Sequence, residues 1–363
     1  MIVVGTDRLV VVPVVVPERL DGDEGRDFRA MADVFNTALH HDLALDHLRW
    51  DAAELLPAWQ DQTDRLQAGF LAWQDGRPVG ALQLTAPLEA GATELEFDLL
   101  ALPDARADAA VEEALLERLL LEAQRLRRTH LQTYTLHRAD AGGERMASPT
   151  GFGSLPVDRY TRFYRDHGFD LQQVERNSML DLTAPLDTVH ELLAGAEAAG
   201  GADYRLRTWT SPTPPEWRAE FAHVISRMST DAPFAGLTVT EETWDAARVA
   251  RRDERLRAGG VLVSVAVVEH VPTGRLVAYN ELTIGADRTR PTNQWGTLVL
   301  REHRGHRLGT LVKCANILRW RGLAPQSPMI TTFNAEENRP MLDVNEALGF
   351  TPLTVAGAWQ RVS

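Results

Sequence analysis

The chain of 363 residues repeats one order of predicted elements in its two halves. Each half has an apolar hairpin, a strand, a long helix, a further strand, a short helix and a closing strand. The short helices end at the same dipeptide, Gly168-Phe169 in the first half and Gly349-Phe350 in the second. Glycine after the last helical residue is a usual helix stop. A repeat of half the chain length predicts two duplicated domains and excludes a solenoid, whose repeats are far shorter.

Turn signals and helical spacing support this duplication. Asp75-Gly76 and Pro272-Thr273-Gly274 each separate two short apolar runs, as in a β-hairpin. Apolar residues at helical spacing predict helices over residues 109–126 and 308–321, and each of these helices follows a predicted strand.

The boundary between the halves is expected in the segment 186–201, which is rich in Ala and Gly and weakly helical. We therefore predict one domain over residues 1–190 and a second over residues 200–363.

The N-terminal run Leu9–Val16 is rich in β-branched residues and is interrupted by Pro13. Because no small-residue cleavage site follows it, the run indicates an opening strand and not a signal peptide. No stretch of about 18 apolar residues occurs, so no membrane span and no membrane partner are expected. The one cysteine, Cys314, excludes an intrachain disulfide framework and is typical of a reducing compartment. We expect a cytoplasmic protein.

The net charge limits the kinds of partner that the chain is expected to bind. The formal net charge is −13, and an acidic chain repels the phosphates of nucleic acids but attracts a cationic small molecule. His40, His41 and His47 lack any further ligand spacing, so no metal site is predicted. Cys314 lies among apolar helical positions and is expected in a core.

The segment Thr297–Lys313, TLVLREHRGHRLGTLVK, carries the sharpest signal. A strand runs into a loop with Arg301, Arg304 and Arg307, and a helix starts immediately afterwards. Helix N-termini have unpaired N–H groups, and glycines let the backbone approach an anion. The segment predicts a phosphate or pyrophosphate site, although it matches neither a Walker loop nor the dinucleotide fingerprint. The alternative interpretation is a solvated basic turn.

This segment resembles the acetyl-CoA-binding motif of the GNAT superfamily of N-acetyltransferases, Arg/Gln-x-x-Gly-x-Gly/Ala. Arg304 and Gly309 match its first and last positions, and Arg307 stands at the position of the middle glycine. The resemblance implies that the pyrophosphate of acetyl-CoA is bound by Arg304, Gly305, His306, Arg307, Leu308, Gly309 and Thr310. It also implies that backbone N–H groups of Leu298, Val299 and Leu300 polarise the thioester.

A second part of the resemblance is the later Asn-x-x-Ala…Gly-Phe helix, matched by Asn338, Met341 and Gly349-Phe350. It implies that Asn334 and Asn338 contact the CoA substrate. Asn345 stands where the superfamily often has a Tyr that protonates the leaving thiolate. An amide is no acid at neutral pH, so a catalytic Asn345 would act by hydrogen-bonding the thiolate. The alternatives are that Asn345 binds the substrate or caps a neighbouring loop.

The first half resembles the same fold only in the order of its predicted strands and helices. Tyr164 stands at the acid position, but residues 102–109, LPDARADA, contain no glycine. Asp104 and Asp108 outnumber Arg106 there and would repel a pyrophosphate. This half is predicted to be degenerate and to bind no CoA, as in some tandem members of the superfamily, the mycothiol synthases among them.

The implied fold is α/β (α+β), with two tandem GNAT-like domains that each have a mixed, mostly antiparallel sheet flanked by helices. The implied function is an acyltransferase whose second domain moves an acetyl group from acetyl-CoA to the amine of a small molecule, such as an antibiotic-type amine, an amino sugar or a polyamine. A monomer or a homodimer is expected. The alternative is a non-catalytic module that binds acyl-CoA for regulation or serves a structural role.

The amine must lose a proton before it attacks. No carboxylate occurs between Thr292 and Leu300, so the base cannot come from the central strand. Glu281, on the preceding predicted strand, is the first candidate, and Glu336 and Glu337 are the second choices.

Overall fold

The computed structural model describes residues 2–4, 9–107 and 109–363, and its chain forms two compact units. Unit 1 comprises Met1–Val174, Ala235–Thr240 and Val355–Ser363. Unit 2 comprises Glu175–Phe234 and Glu241–Thr354. The units therefore change at Val174, before the expected boundary region, and the last residues of the chain belong to unit 1.

Unit 1 contains a sheet in which consecutive strands pair antiparallel, apart from the parallel contact of its fifth and sixth strands. Its elements are α1 (Arg26–Leu43), α2 (Ala52–Gln60), α3 (Ala110–Leu126) and α4 (Arg159–Asp166), with β1 (Ile2–Val4), β2 (Leu9–Val14), β3 (Arg65–Gln74), β4 (Arg77–Pro87), β5 (Glu94–Ala101), β6 (His130–Arg138), β7 (Arg145–Ala147) and β8 (Ser154–Pro156). The next strand, β9 (Asp170–Asp181), begins in unit 1 and ends in unit 2.

The predicted hairpin at Asp75-Gly76 joins β3 and β4. Both residues have positive φ, 51° and 80°, which is the backbone of a tight type I′ turn. The β-branched run predicted as an opening strand forms β2. Apolar faces of β2–β5 pack with α3 in one cluster, which also includes Trp359 near the C-terminus.

Unit 2 has the strand order β9-β14-β13-β12-β11-β10. Its pairs are antiparallel, apart from the parallel contact of β13 with β14. Its elements are α5 (Asp187–Gly200), α6 (Arg218–Ser226), α7 (Met228–Asp231), α8 (Ala246–Ala258), α9 (Leu308–Leu323) and α10 (Arg339–Ala347), with β10 (Tyr204–Thr210), β11 (Leu262–His270), β12 (Arg275–Ile284), β13 (Thr292–Val299), β14 (Met329–Ala335) and β15 (Thr351–Val362), whose last residues lie in unit 1.

The segment expected to contain the boundary forms α5, which packs against α9 within unit 2. Its apolar side chains Leu186 and Val189 join a buried cluster with Trp320 of α9. Cys314 lies in that cluster too and is fully buried, as predicted. A helix that buries its apolar face cannot act as a linker, and this explains why the unit changes earlier in the chain.

The strands β13 and β14 separate soon after they meet. They pair at Thr292–Ile330 and Asn293–Thr331 and then diverge. On its other side β13 has a β-bulge, in which Trp295 and Gly296 lie opposite the single residue Glu281 of β12. A Cβ on Gly296 would lie 2.3 Å from the Tyr279 hydroxyl, so the bulge requires glycine. The divergence opens a gap in the sheet next to the start of α9. No helix in the described part of the chain is long and apolar enough to cross a membrane.

Candidate functional site

A cavity of about 820 Å³ lies in unit 2, where β13 and β14 diverge. This volume is in the range of small-molecule sites. The walls come from β13, β14, the start of α9, the start of α10 and the segment around α7. The lining residues are Glu175, Met228, Asp231, Ala232, Pro233, Phe234, Gln294, Trp295, Gly296, Thr297, Leu298, Val299, Arg301, Arg304, Gly305, Arg307, Leu308, Gly309, Thr310, Thr332, Phe333, Asn334, Ala335, Glu337, Asn338, Pro340, Met341 and Val344.

One end of the cavity is built to receive an anion. The first backbone hydrogen bond of α9 runs from Leu311 N–H to Arg307 C=O. The N–H groups of Leu308, Gly309 and Thr310 therefore have no partner within the helix, and these three residues line the cavity. No acidic side chain occupies the first turn of α9. The positive end of the helix dipole thus faces the cavity unopposed.

Exposed arginines add charge at this end. Arg304 and Arg307 both line the cavity with exposed side chains. The Nε of Arg304 donates to the carbonyl of Val299 over 3.2 Å, which fixes the side chain beside the end of β13. The Arg307 guanidinium lies against α5, where a Cβ on Gly195 would be 3.5 Å from its Nη1. The guanidinium of Arg304 beside three free N–H groups suits a pyrophosphate.

The glycines of the loop leave room for a ligand. Gly305 has φ of 89°, which favours glycine. A Cβ on Gly309 would lie 3.6 Å from Val299, an ordinary contact distance. Protein packing therefore does not demand glycine at 309, and the space in front of it belongs to the cavity.

The backbone of β13 supplies a donor beside this end. Leu300 N–H donates to Val277 C=O on β12 over 2.9 Å. Because N–H groups in an antiparallel pair alternate in direction, the N–H of Leu298 also points to β12, whereas that of Val299 points into the gap. Of the three N–H groups predicted to polarise the thioester, the geometry leaves that of Val299 available.

The same cavity also has an acidic part. It is formed by two carboxylates, those of Glu175 on β9 and Glu337 after β14. Burial, together with the charge of Glu337, raises the pKa of Glu175 to about 7. A carboxylate with this pKa can accept a proton from an ammonium group near neutral pH. Glu337 was a second-choice base, and it lies beside Glu175, a residue that no sequence pattern singled out.

Glu281 is placed elsewhere. Its side chain is buried, does not line the cavity, and lies 2.8 and 2.9 Å from the guanidinium of Arg252 on α8. A carboxylate that is paired with a guanidinium outside the cavity lining cannot reach a substrate amine there, so this geometry moves the role of base away from Glu281. Glu336 is likewise engaged, by Arg176 at 2.8 Å, and also lies outside the cavity lining.

Asn345 is also redirected. It is almost fully buried, and its Nδ2 donates to Asn334 Oδ1 over 2.7 Å. Its amide is therefore not aimed at the cavity, in contrast to the sequence-based expectation. Asn334 and Asn338 both line the cavity. The side chain that reaches the cavity wall is thus that of Asn334.

Two more predicted contacts lie outside the cavity lining, His306 and Leu300. The ring of His306 lies 5.1 Å from that of Tyr204, measured between centroids, and the Tyr204 hydroxyl is 3.0 Å from His303 Nδ1. These side chains form a ring cluster behind the loop. Leu300 is buried in the apolar core of unit 2.

In unit 1, the protein's own side chains fill the place that corresponds to the basic end of the cavity. Arg106 makes a hydrogen bond equivalent to that of Arg304, because its Nε donates to the carbonyl of Ala101 over 2.8 Å. Unlike Arg304, it is buried and forms two hydrogen bonds of 2.7 and 3.1 Å with Asp42. Tyr160 donates to the same carboxylate. Asp108, predicted to repel a phosphate here, lies outside the described residues.

The first turn of α3 differs from that of α9 in the same sense. It carries Glu112 and Glu113, and Glu112 is buried against Arg159. Acidic side chains at a helix N-terminus complement its dipole and disfavour a second anion. Among the described residues there is no cluster of His, Cys, Asp and Glu that could hold a metal ion.

Some residues of the site carried no local signal in the sequence. Trp295 is 42% exposed in the cavity, and the guanidinium of Arg252 lies 5.4 Å from its ring centroid on the other side. Asp231 is buried at the wall between Arg227 and Arg301. Counting exposed aromatic residues could not have found Trp295, because its exposure depends on the bulge.

Comparisons with known proteins agree with this architecture. Neither a protein-family model nor a curated protein matches the sequence. Among solved structures, a tandem GNAT protein from the clavulanic acid biosynthesis pathway has a TM-score of 0.73 and 24% identity, with 98% of each chain covered. A GCN5-related N-acetyltransferase from Sphaerobacter thermophilus has a TM-score of 0.61 and 14% identity over 98% of this chain and 96% of its own.

A third similar structure is a putative acetyltransferase from Pyrococcus horikoshii, with a TM-score of 0.53 and 10% identity over 99% of this chain and 91% of its own. These likenesses extend over both halves of the chain, and the expected fold class is confirmed. The chain has the tandem fold of the GNAT superfamily.

Proposed function

We propose that unit 2 transfers an acetyl group from acetyl-CoA to the primary amine of a small molecule. The observation that carries this proposal is the start of α9, where three free N–H groups and the exposed Arg304 face a cavity beside the N–H of Val299. The pyrophosphate of CoA suits the basic end, and the thioester then extends along the gap between β13 and β14.

The reaction needs little from the protein. Glu175 accepts a proton from the substrate ammonium, and the amine nitrogen attacks the thioester carbonyl carbon. The carbonyl oxygen gains negative charge, which the N–H of Val299 stabilises. A C–N bond forms, the C–S bond breaks, and CoA leaves as a thiolate that takes up the second proton of the amine. The products are an amide and CoA.

The acceptor is a cation with an apolar or planar part. The carboxylates of Glu175 and Glu337 favour a positive charge, and the exposed face of Trp295 favours contact with a ring or an ammonium group. The chain's net charge of −13 also attracts a cation. Antibiotic-type amines, amino sugars and polyamines all have this chemistry.

The test measures thiol release from acetyl-CoA with a panel of such amines. Arg304→Glu should weaken CoA binding at least tenfold, because a charge-assisted phosphate contact contributes about 1.5–3 kcal/mol. Arg257→Glu is the matched control, since Arg257 is an exposed arginine of α8 that pairs with Glu254 away from the cavity. It makes the same change in net charge and should leave CoA affinity unchanged.

Equal affinity losses in the two variants would contradict the location of the site. Binding of CoA without thiol release on any amine would favour a non-catalytic acyl-CoA-binding module.

A further inference from the structure

A lysine on α9 is buried next to the cavity. Lys313 has no exposed surface, and its Nζ donates to Asn345 Oδ1 over 2.6 Å. Among the described residues Lys313 forms no salt bridge, and the ring of Phe350 lies 5.6 Å from its Nζ. Lysine is almost never fully buried without a charged partner, because desolvation of the ammonium is unfavourable. Burial accordingly lowers the pKa of Lys313 to about 7.

The hydrogen bond from Lys313 begins a chain that ends at the cavity. Asn345 Nδ2 donates to Asn334 Oδ1 over 2.7 Å, and Asn334 lines the cavity. In the described part of the chain no hydrogen bond takes up the NH2 group of Asn334. Three side chains thus connect a buried amine with an open donor at the cavity wall.

The direction of this chain is set at its buried end. Below about pH 7 Lys313 is an ammonium, which can donate but cannot accept, so the carbonyl oxygen of Asn345 must face it. The NH2 group of Asn345 then faces Asn334 and occupies its carbonyl oxygen. The group that Asn334 has left for the cavity is its NH2. Without Lys313 either amide could rotate, and Asn334 could present its oxygen instead.

We propose that Lys313 is a positioning residue, which orients Asn345 and Asn334 so that Asn334 donates an N–H to the leaving thiolate of CoA. The inference rests on the proposed function. The chain ends on β14, across the gap from the N–H of Val299, and a donor is favourable where negative charge develops on the sulfur. Amides do not pass protons along such a chain, so its role is hydrogen bonding, and the thiolate takes up the second proton of the amine.

Two variants test the orientation. Asn345→Asp is isosteric and keeps the bond from Lys313, but a carboxylate cannot donate, so Asn334 must turn its NH2 away from the cavity. Lys313→Met keeps a linear side chain and removes the donor that selects one orientation. We expect kcat to fall at least tenfold in Asn345→Asp and by a smaller factor in Lys313→Met, with KM for acetyl-CoA within twofold of wild type.

Stability separates this role from a structural one. Both variants should unfold at or above the wild-type temperature, because one pairs the buried ammonium with a carboxylate and the other removes it. A structural role predicts the reverse, a loss of kcat only where stability is lost. That result would overturn the inference.

A second readout does not depend on turnover. The thiolate absorbance of bound CoA gives the pKa of its thiol, which should rise by about one unit from wild type to Asn345→Asp when the N–H donor is lost. An unchanged thiol pKa overturns the inference, even if the protein acetylates amines. The expected rise in a protein that acetylates no amine supports the inference and overturns the transferase. Failure of wild type to bind CoA overturns both.

Discussion

Arg307 stands at the start of α9 with φ of 54°. This left-handed conformation disfavours residues with a Cβ by about 1–2 kcal/mol. The GNAT motif that this segment resembles has glycine here, whereas this chain has a cation whose Nη1 lies against Gly195 of α5. Ala109 has the same left-handed conformation before α3, so the strain belongs to the shared backbone and the charge is what distinguishes Arg307.

Arg307→Gly should separate these two effects. The unfolding temperature should stay equal or rise, because glycine adopts this backbone without strain. The dissociation constant for CoA should increase about tenfold, since one charged phosphate contact is lost. Thermal unfolding and calorimetric titration of the same protein measure both. Unchanged CoA affinity would show that Arg307 points away from the phosphates.

The proposed base, Glu175, should make the rate depend on pH. With a pKa of about 7, it is protonated in acid and becomes a base as the pH rises, so kcat should increase through about pH 7 and then level off. Glu175→Gln should lower kcat by roughly 10- to 10⁴-fold and remove this limb. A Glu175→Gln enzyme with the wild-type pH profile would exclude Glu175 as the base.

Glu281→Gln is the matched comparison, because it makes the same chemical change in a buried carboxylate outside the cavity. It leaves Arg252 without its charged partner, so the free energy of unfolding should fall by about 3–5 kcal/mol.

The free energy of unfolding should also depend on pH through Glu175. Its folded pKa is raised from 4.5, so the stability it contributes is present below about pH 4.5 and is lost as the pH rises to about 7. Glu175→Gln should remove that loss.

At the scale of elements, α9 and α3 are counterparts that start differently. Both have a left-handed residue before their first turn, Arg307 and Ala109. The turn of α9 is free of acidic residues and faces a cavity, whereas that of α3 carries two glutamates beside the Arg106–Asp42 ion pair. The same arrangement of strand, loop and helix therefore leaves room for an anion in unit 2. In unit 1 its charged groups are already paired with one another.

We expect one CoA per chain in a calorimetric titration. Arg106→Glu should leave CoA affinity unchanged, because Arg106 is already neutralised by Asp42. Its folding stability should fall, since two carboxylates would then face each other. Two equivalent sites per chain would contradict the assignment of the degenerate frame to unit 1.

At the scale of the whole molecule, the units are not consecutive pieces of the chain. Residues 175–181 pair with β14 within unit 2, although they continue a strand that begins in unit 1. Val355–Ser363 belongs to unit 1, although it follows all of unit 2 in the sequence. A cut at one position therefore cannot release either unit intact.

A fragment over residues 186–363 should aggregate or lose activity. It lacks the partner of β14 and so exposes an unpaired strand edge, and it carries a strand end whose core lies in unit 1. Size-exclusion chromatography and acetyl-CoA turnover measure the result. A monomeric fragment with wild-type kinetics would show that unit 2 folds independently.

Local patterns in the sequence were enough to predict the repeated order of elements, the hairpin at Asp75-Gly76 and the strand–loop–helix segment with Arg304 and Gly309. These features depend on local backbone preferences and on periodicity, which a single sequence carries. It also predicted the helix that became α5, but not which unit this helix would join.

Tertiary structure decided which polar groups meet. Glu175 and Glu337 are far apart in the chain, and both reach the cavity only because β9 pairs with β14. Glu281 was a reasonable base until α8 placed Arg252 against it. Asn345 was expected to face the thiolate. It is instead buried beside Lys313 and hydrogen-bonded to it. The pKa and orientation of a side chain depend on long-range packing, and no local pattern encodes them.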